Sequence, residues 1–183
     1  MSKTYKDKLK KKSNSIYAKN MLTRKIVLPF TSVGGNLSEI LKQQLEEDLY
    51  GKCSKDGYIK TDSIQICSYS SGIVQENDVI FDVLFECLIC HPIEGQHIKC
   101  KVENITRAGI RAIYFKEQRS PITIFIARDH HYDSKYFSTI KEEDLILIKV
   151  IGIRYELNDE TISVLGELKP QKQNRVTKIK LEE

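Results

Sequence analysis

No stretch of the 183 residues approaches the roughly 18 consecutive apolar residues of a membrane-crossing helix, which excludes an integral helical membrane protein. Residues 1–20 are basic but lack an apolar core, so no secretory signal is expected. Five cysteines without such a signal point to a reducing compartment rather than a disulfide scaffold. The body contains no internal repeat and no low-complexity tract. Gly34–Gly35 is too sparse for a phosphate-binding loop and reads as a turn. No nucleophile elbow, catalytic triad or paired-carboxylate arrangement is visible, so no catalytic residue, cofactor or metal is expected, and the chain reads as a non-enzyme.

What is present is a soluble globular composition, with 40% hydrophobic and 30% charged residues, long enough for one large or two small domains. The net charge of +4 is unevenly placed. Residues 1–25 carry nine basic side chains against Asp7 alone, and 169–183 carry five basic against two acidic. Between them, 26–94 hold four basic and eleven acidic residues, whereas 95–168 hold eleven of each. The polar, aperiodic segment 3–20 reads as a flexible arm, suited to attracting nucleic acid or an acidic partner, or equally to solvation or nuclear targeting. The charge step falls at Pro92–Gly95, where Pro and Gly punctuate the chain. The expected division is a basic arm (1–22), a first domain (23–94), a second domain (95–168) and a basic tail (169–183).

In the first domain, Arg24–Pro29 reads as a short strand. Asn36 and Glu39 form a capping-box pattern ahead of Leu37, Ile40, Leu41, Leu45 and Leu49, so 37–49 is expected to be an amphipathic helix. Residues 51–72 suggest hairpins. The longest strand is expected over 79–90, with Val79, Phe81, Val83, Phe85, Cys87 and Ile89 on one face. In the second domain five strands are expected, at 96–104, 109–115, 122–126, 145–155 and 161–168. That is the inventory of an OB-type barrel.

Lys99, Lys101, Arg107, Arg111 and Lys116 are the candidate RNA-binding cations, with Tyr114 or Phe115 as a stacking platform. Basic side chains tracking a backbone beside aromatics form the usual recipe for binding single strands. An ordinary solvated barrel face over core aromatics has the same composition. Cys87-Leu-Ile-Cys90-His91 matches a haem-attachment pattern whose chemistry needs export, and Cys87, Cys90, His97 and Cys100 form a zinc-like set. Residues three apart in a strand point to opposite faces, which weakens both. His130–His131 reads as part of a polar loop.

In order and spacing, the segments RKIVLPFTSVGGNLSEILKQQLEEDLYGKC, DGYI, GI followed by VIFDVLFEC, HPIEGQHIKCKVENITRAGIRA and SPITIFIARDHH resemble the stalk subunit of archaeal and eukaryotic RNA polymerases, the seventh-subunit family of polymerase II. The likeness covers roughly Thr23 to Leu168, with Gln96 where Glu is usual. It implies an α+β protein: an N-terminal tip domain of truncated ferredoxin-like type, then a C-terminal OB barrel of the ribosomal S-one class. It also implies a non-catalytic subunit of a multisubunit DNA-directed RNA polymerase. The tip would dock on the large polymerase subunits, a small helical partner subunit would bind along both domains, and the barrel would contact nascent single-stranded RNA. The site of action would be intracellular, wherever transcription occurs, and the divergence suits a large cytoplasmic DNA virus or a protist. A free-standing OB-fold RNA-binding factor in translation or decay is the alternative.

Overall fold

The computed structural model describes residues 15–131 and 136–169. Residues 1–14 of the arm expected over 1–22, residues 132–135 of the connection after 131, and 170–183 of the tail expected from 169 lie outside the described residues.

β6 (Asp78–Cys90) organises the first half. Its residues alternate between buried Val79, Phe81, Val83, Phe85, Cys87 and Ile89 and more open positions, as strand geometry demands. One edge of β6 pairs antiparallel, residue for residue, with β1 (Tyr17–Pro29). Its other edge takes β5 (Ile73–Gln75), β4 (Gln65–Tyr69) and β3 (Gly57–Ile59) in succession, and β2 (Cys53–Ser54) adds outside β3.

β1 corrects the expected arm. The strand begins at Tyr17, not Arg24, so 17–22 belong to the sheet. Its N-terminal half is too polar to show an alternation. The full length of β6 nevertheless templates it, and Lys19 adds a 2.6 Å ion pair to Glu86. Helix α1 (Leu37–Leu49) forms where the apolar stripe requires and buries Leu41 and Leu45 on the β6 face. The capping box does not form. Asn36 makes no side-chain cap, and its backbone carbonyl accepts from Glu39 N at 3.0 Å instead.

The second half closes on itself. β7 (His97–Ile105), β8 (Gly109–Ile113), β9 (Ile122–Ala127), β11 (Ile162–Lys169) and β10 (Leu145–Arg154) form a closed barrel in that order, with β10 returning to β7. Only β9 and β11 pair in parallel. The arrangement fits the OB type. Ile98, Cys100, Val102, Ile110, Ala112, Ile122, Ile124, Ile126, Ile146, Ile148 and Val150 fill the interior. The expected strands each occur within one residue at either end, except that β8 ends at Ile113, two residues before the expected Phe115.

The halves are welded rather than tethered. Ile16, Cys53, Tyr58 and Cys90, all from the first half, pack into the barrel's cluster. The β10–β11 loop makes a miniature ladder with β2: Cys53 N donates to Asp159 O and Asn158 N donates to Cys53 O, both at 2.8 Å. Lys60 pairs with Glu117 across the seam at 2.8 Å. Gly57 sits at this junction with φ +122°, where a Cβ would fall 2.5 Å from Cys90 O, so only glycine fits.

Candidate nucleic-acid interface

Strand alternation decides which barrel side chains meet solvent. Along β7, Ile98, Cys100 and Val102 point inward while His97, Lys99, Lys101 and Glu103 face out. β10 lies beside it antiparallel, so Lys99 neighbours Leu147, Lys101 neighbours Leu145, and Lys149 neighbours His97. Lys99 also lines a groove with His97, Gln96 and Lys116. Lys99 and Lys116 are therefore brought together although seventeen positions apart in sequence. Lys101 is ion-paired to Glu143.

Lys116 and Phe115 sit in the β8–β9 loop. Ser120 shapes that loop, accepting from Tyr114 N at 2.9 Å and donating to Ile122 O at 2.6 Å. Phe115 is 36% exposed. Tyr114 is not a stacking platform. It is 4% exposed, it belongs to the barrel core, and its hydroxyl meets the backbone of Ile16. Burial raises its pKa, so it is a neutral strut between the halves.

Arg111 and Arg107 lie further round. Arg111 is exposed on β8 and pairs with Glu103 at 2.8 Å, where a β-bulge displaces Glu103 from the ladder. Arg107 tops the β7–β8 loop, whose carbonyls are held from beneath by Arg128: Nε donates to Arg107 O at 2.9 Å and Nη2 to Thr106 O at 3.2 Å. The Arg107 side chain is left exposed. Exposed pairs such as Arg111–Glu103 contribute about 0.2–1 kcal/mol, so phosphate can replace the carboxylate at small cost.

The cations thus fall into two groups along β7 and β8, Lys99 with Lys116 and Arg107 with Arg111, and Lys101 with its cross-strand neighbour Ile113 lies between them in register. Lys149, beside His97, and Arg154, which lines a separate groove with Phe125 and Leu165, were missing from the sequence-derived set. Phe125, 40% exposed on β9, is an aromatic near the basic stretch in sequence but is not the expected stacking platform. The signal for Phe125 was present: Ile122, Ile124 and Ile126 must face one way, which turns Phe125 the other.

The thiols do not make a site. Cys87 is in the helix-side core, whereas Cys90 and Cys100 are in the barrel cluster. Burial raises Cys87 and Cys53 to about 11 and Cys90 and Cys100 to about 12. Among the described residues no three metal-ligating side chains converge. His131 corrects the polar-loop expectation: it is buried and stacks on Phe137 with ring centroids 5.5 Å apart, while His130 is exposed. No helix among the described residues is long and apolar enough to cross a membrane.

A second surface lies at the far end of the first half. Val27, Ile80 and Ile73 are cross-strand neighbours on the face opposite α1. Val27 and Ile73 are each more than half exposed there; Phe30, in the turn after β1, and Val74, which pairs with Val79 and so has the parity of the α1 side, are also more than half exposed at this end of the sheet. Glu76, Asp78 and Asp82 lie beside them in sequence and register.

No protein-family model matches the chain. A protein of Acanthamoeba polyphaga mimivirus, named as a DNA-directed RNA polymerase subunit, is 26% identical over 170 residues, which cover 84% of this chain and 82% of that one. DNA-directed RNA polymerase II subunit 7 of Arabidopsis thaliana is 24% identical over 74% of this chain and 84% of its own length. DNA-directed RNA polymerase II subunit RPB7 of Glycine max is 22% identical over 81% and 90%. The matches cover 74–84% of this chain and 82–90% of the relatives, in agreement with the resemblance carried by the ordered segments from Thr23 to Leu168. The chain is thus similar, at 22–26% identity over most of its length, to the seventh-subunit family of DNA-directed RNA polymerase II, as a divergent, RPB7-like sequence.

Proposed function

We propose that the protein is a non-catalytic stalk subunit of a multisubunit DNA-directed RNA polymerase, acting inside the cell wherever that polymerase transcribes. The observation that carries this reading is the likeness to polymerase subunits across 74–84% of the chain, covering both the tip and the barrel. On this reading residues 23–94 form a tip of truncated ferredoxin-like type, and 95–168 form an OB barrel of the ribosomal S-one class.

The tip docks on the large subunits. Support comes from Val27 and Ile73, exposed on one face beside acidic residues, with Phe30 and Val74 also exposed at the same end of the sheet, apolar surface of the sort that marks protein contact. The acidic excess of 26–94 favours a basic receiving surface. A small helical partner subunit has the joined flank of both halves to lie along. The barrel contacts emerging single-stranded RNA through Lys99, Lys101, Arg107, Arg111 and Lys116, with Phe115 adjoining. These side chains neutralise phosphates and read little sequence. The basic segments 1–14 and 170–183 add non-specific attraction.

The test separates the two surfaces. Ile73→Asp with Phe30→Asp should release the tagged chain from the polymerase large subunits while leaving RNA affinity intact. Charge reversal at Lys99 and Arg111 should do the converse. Retention of the polymerase by the tip variant contradicts tip docking.

A further inference from the structure

We propose that the free edge of β1 pairs with the same edge of a second copy of this chain, as an antiparallel dimer whose twofold axis passes through Thr23. β1 pairs along its whole length with β6, and among the described residues no strand pairs with its other edge. The register shows which backbone groups that edge offers. Phe30 N donates to Asn77 O at 2.8 Å, one step beyond the Pro29–Asp78 pair, so the even-numbered residues of β1 turn their N–H and C=O groups toward β6. The odd-numbered residues turn theirs away, and Tyr17 N accordingly donates to Ser15 Oγ at 3.2 Å. Lys19, Met21, Thr23, Lys25 and Val27, all exposed, thus present a row of N–H donors and C=O acceptors to solvent. A free edge of this length is a template for another strand.

The side chains favour a second copy as the occupant. Charge usually guards such an edge, and Lys19, Arg24 and Lys25 stand along this one. With the axis at Thr23, Lys19 falls opposite Val27, Met21 opposite Lys25, and Thr23 opposite its own copy. On the α1 face, Asn20 falls opposite Ile26 and Leu22 opposite Arg24. No like charges meet, each lysine stem lies along an apolar side chain, and paired threonines are favourable across strands. Shifting the axis by one residue destroys this. At Leu22 it sets Lys19 opposite Lys25, and at Arg24 it sets that guanidinium opposite itself. Pro29, which lacks an N–H, falls at the end of the ladder, where none is needed. The helices do not collide: α1 packs over β6, and the two β6 strands would lie three strand spacings apart, about 14 Å, against about 8–10 Å for packed helices. Because the edge is its own complement, the contact closes at two copies. It concerns the free chain and does not rest on the polymerase reading.

Sedimentation equilibrium of the purified full chain, over about a hundredfold range of concentration, should show a monomer–dimer equilibrium. Thr23 lies beside Leu84 within the sheet, so a charge placed there meets no charged residue directly opposite within its own chain. Thr23→Lys and Thr23→Glu should each weaken the dimer roughly two- to fivefold, since at the axis either charge faces its own copy. An equimolar mixture of the two variants should restore it. Thr23→Pro removes an outward N–H that β6 does not use, so it should abolish the dimer with the far-ultraviolet circular dichroism unchanged. A chain that stays monomeric throughout overturns the proposal. Protection of the Met21, Thr23 and Lys25 amides from hydrogen exchange in such a monomer would place a segment of the chain itself on the edge. A dimer indifferent to the Thr23 variants, or dissociated by Ile73→Asp instead, lies on another surface and also overturns it. A mixture no tighter than either charged variant alone removes the axis from Thr23 and overturns the pairing as stated.

Discussion

The backbone N–H of Leu168 donates to Nε2 of His131 at 2.8 Å, and Nδ1 of the same ring bonds the carbonyl of Ala127 at 2.9 Å. Nε2 can accept only if the ring is neutral with its proton on Nδ1, so both contacts together define one tautomer. This imidazole fastens the turn after β9 to the last strand. His131→Leu keeps the bulk but strands a buried N–H and a carbonyl. It should destabilise the chain by about 1–3 kcal/mol in urea denaturation, while His130→Leu, at an exposed position, should stay within about 0.5 kcal/mol of the parent.

The helix-side core makes a sharper demand. Leu41 and Phe85 are both 0% exposed. Leu41→Ala or Phe85→Ala should each cost about 2–5 kcal/mol by lost transfer energy and residual cavity. Met21→Ala on the open face of β1 should cost about 0.5 kcal/mol or less. Chemical denaturation checks all three, and a loss well below 2 kcal/mol at Leu41 would mean that α1 does not close the core.

Thiol chemistry reports the division between the two clusters. Cys53, Cys87, Cys90 and Cys100 are buried with pKa values raised to about 11–12, and Cys67 alone is exposed. Thiolate, not thiol, is the nucleophile. A maleimide at neutral pH should therefore modify one cysteine in the folded chain and five after unfolding, read by mass spectrometry.

For the cationic surface, Lys99→Ala should weaken single-stranded RNA binding roughly uniformly across sequences and reduce the salt slope by about one. Tyr114→Ala behaves differently because the ring is core. It should lower the melting temperature and, in molecules that remain folded, leave the salt slope unchanged.

Much of this was legible because periodicity writes itself into sequence. The stripe from Leu37 to Leu49 and the alternation in β6 needed no partner to be recognised, since burial on one face fixes both. β1 was only half legible: residues 17–22 are held by pairing with β6, and pairing leaves no hydrophobic pattern. Asn36 had the residue type of a cap but not the geometry. On the barrel's cationic surface, residue type supplied the candidate cations, but strand parity and closure decided their neighbours. Lys99 and Lys116 meet only because the β8–β9 loop returns to β7, and Tyr114 was lost to the core for the same reason. The contact between Cys53 and the 158–159 turn, over a hundred residues apart, has no sequence signal.

The central claim is membership of a polymerase. The most direct measurement is affinity purification of the tagged full-length chain from its native source, with the co-purifying proteins identified by mass spectrometry. The account predicts the large subunits of a DNA-directed RNA polymerase in stoichiometric amount, lost on Ile73→Asp with Phe30→Asp. A chain that is recovered alone, or that sediments as a free monomer from the same extract, contradicts it.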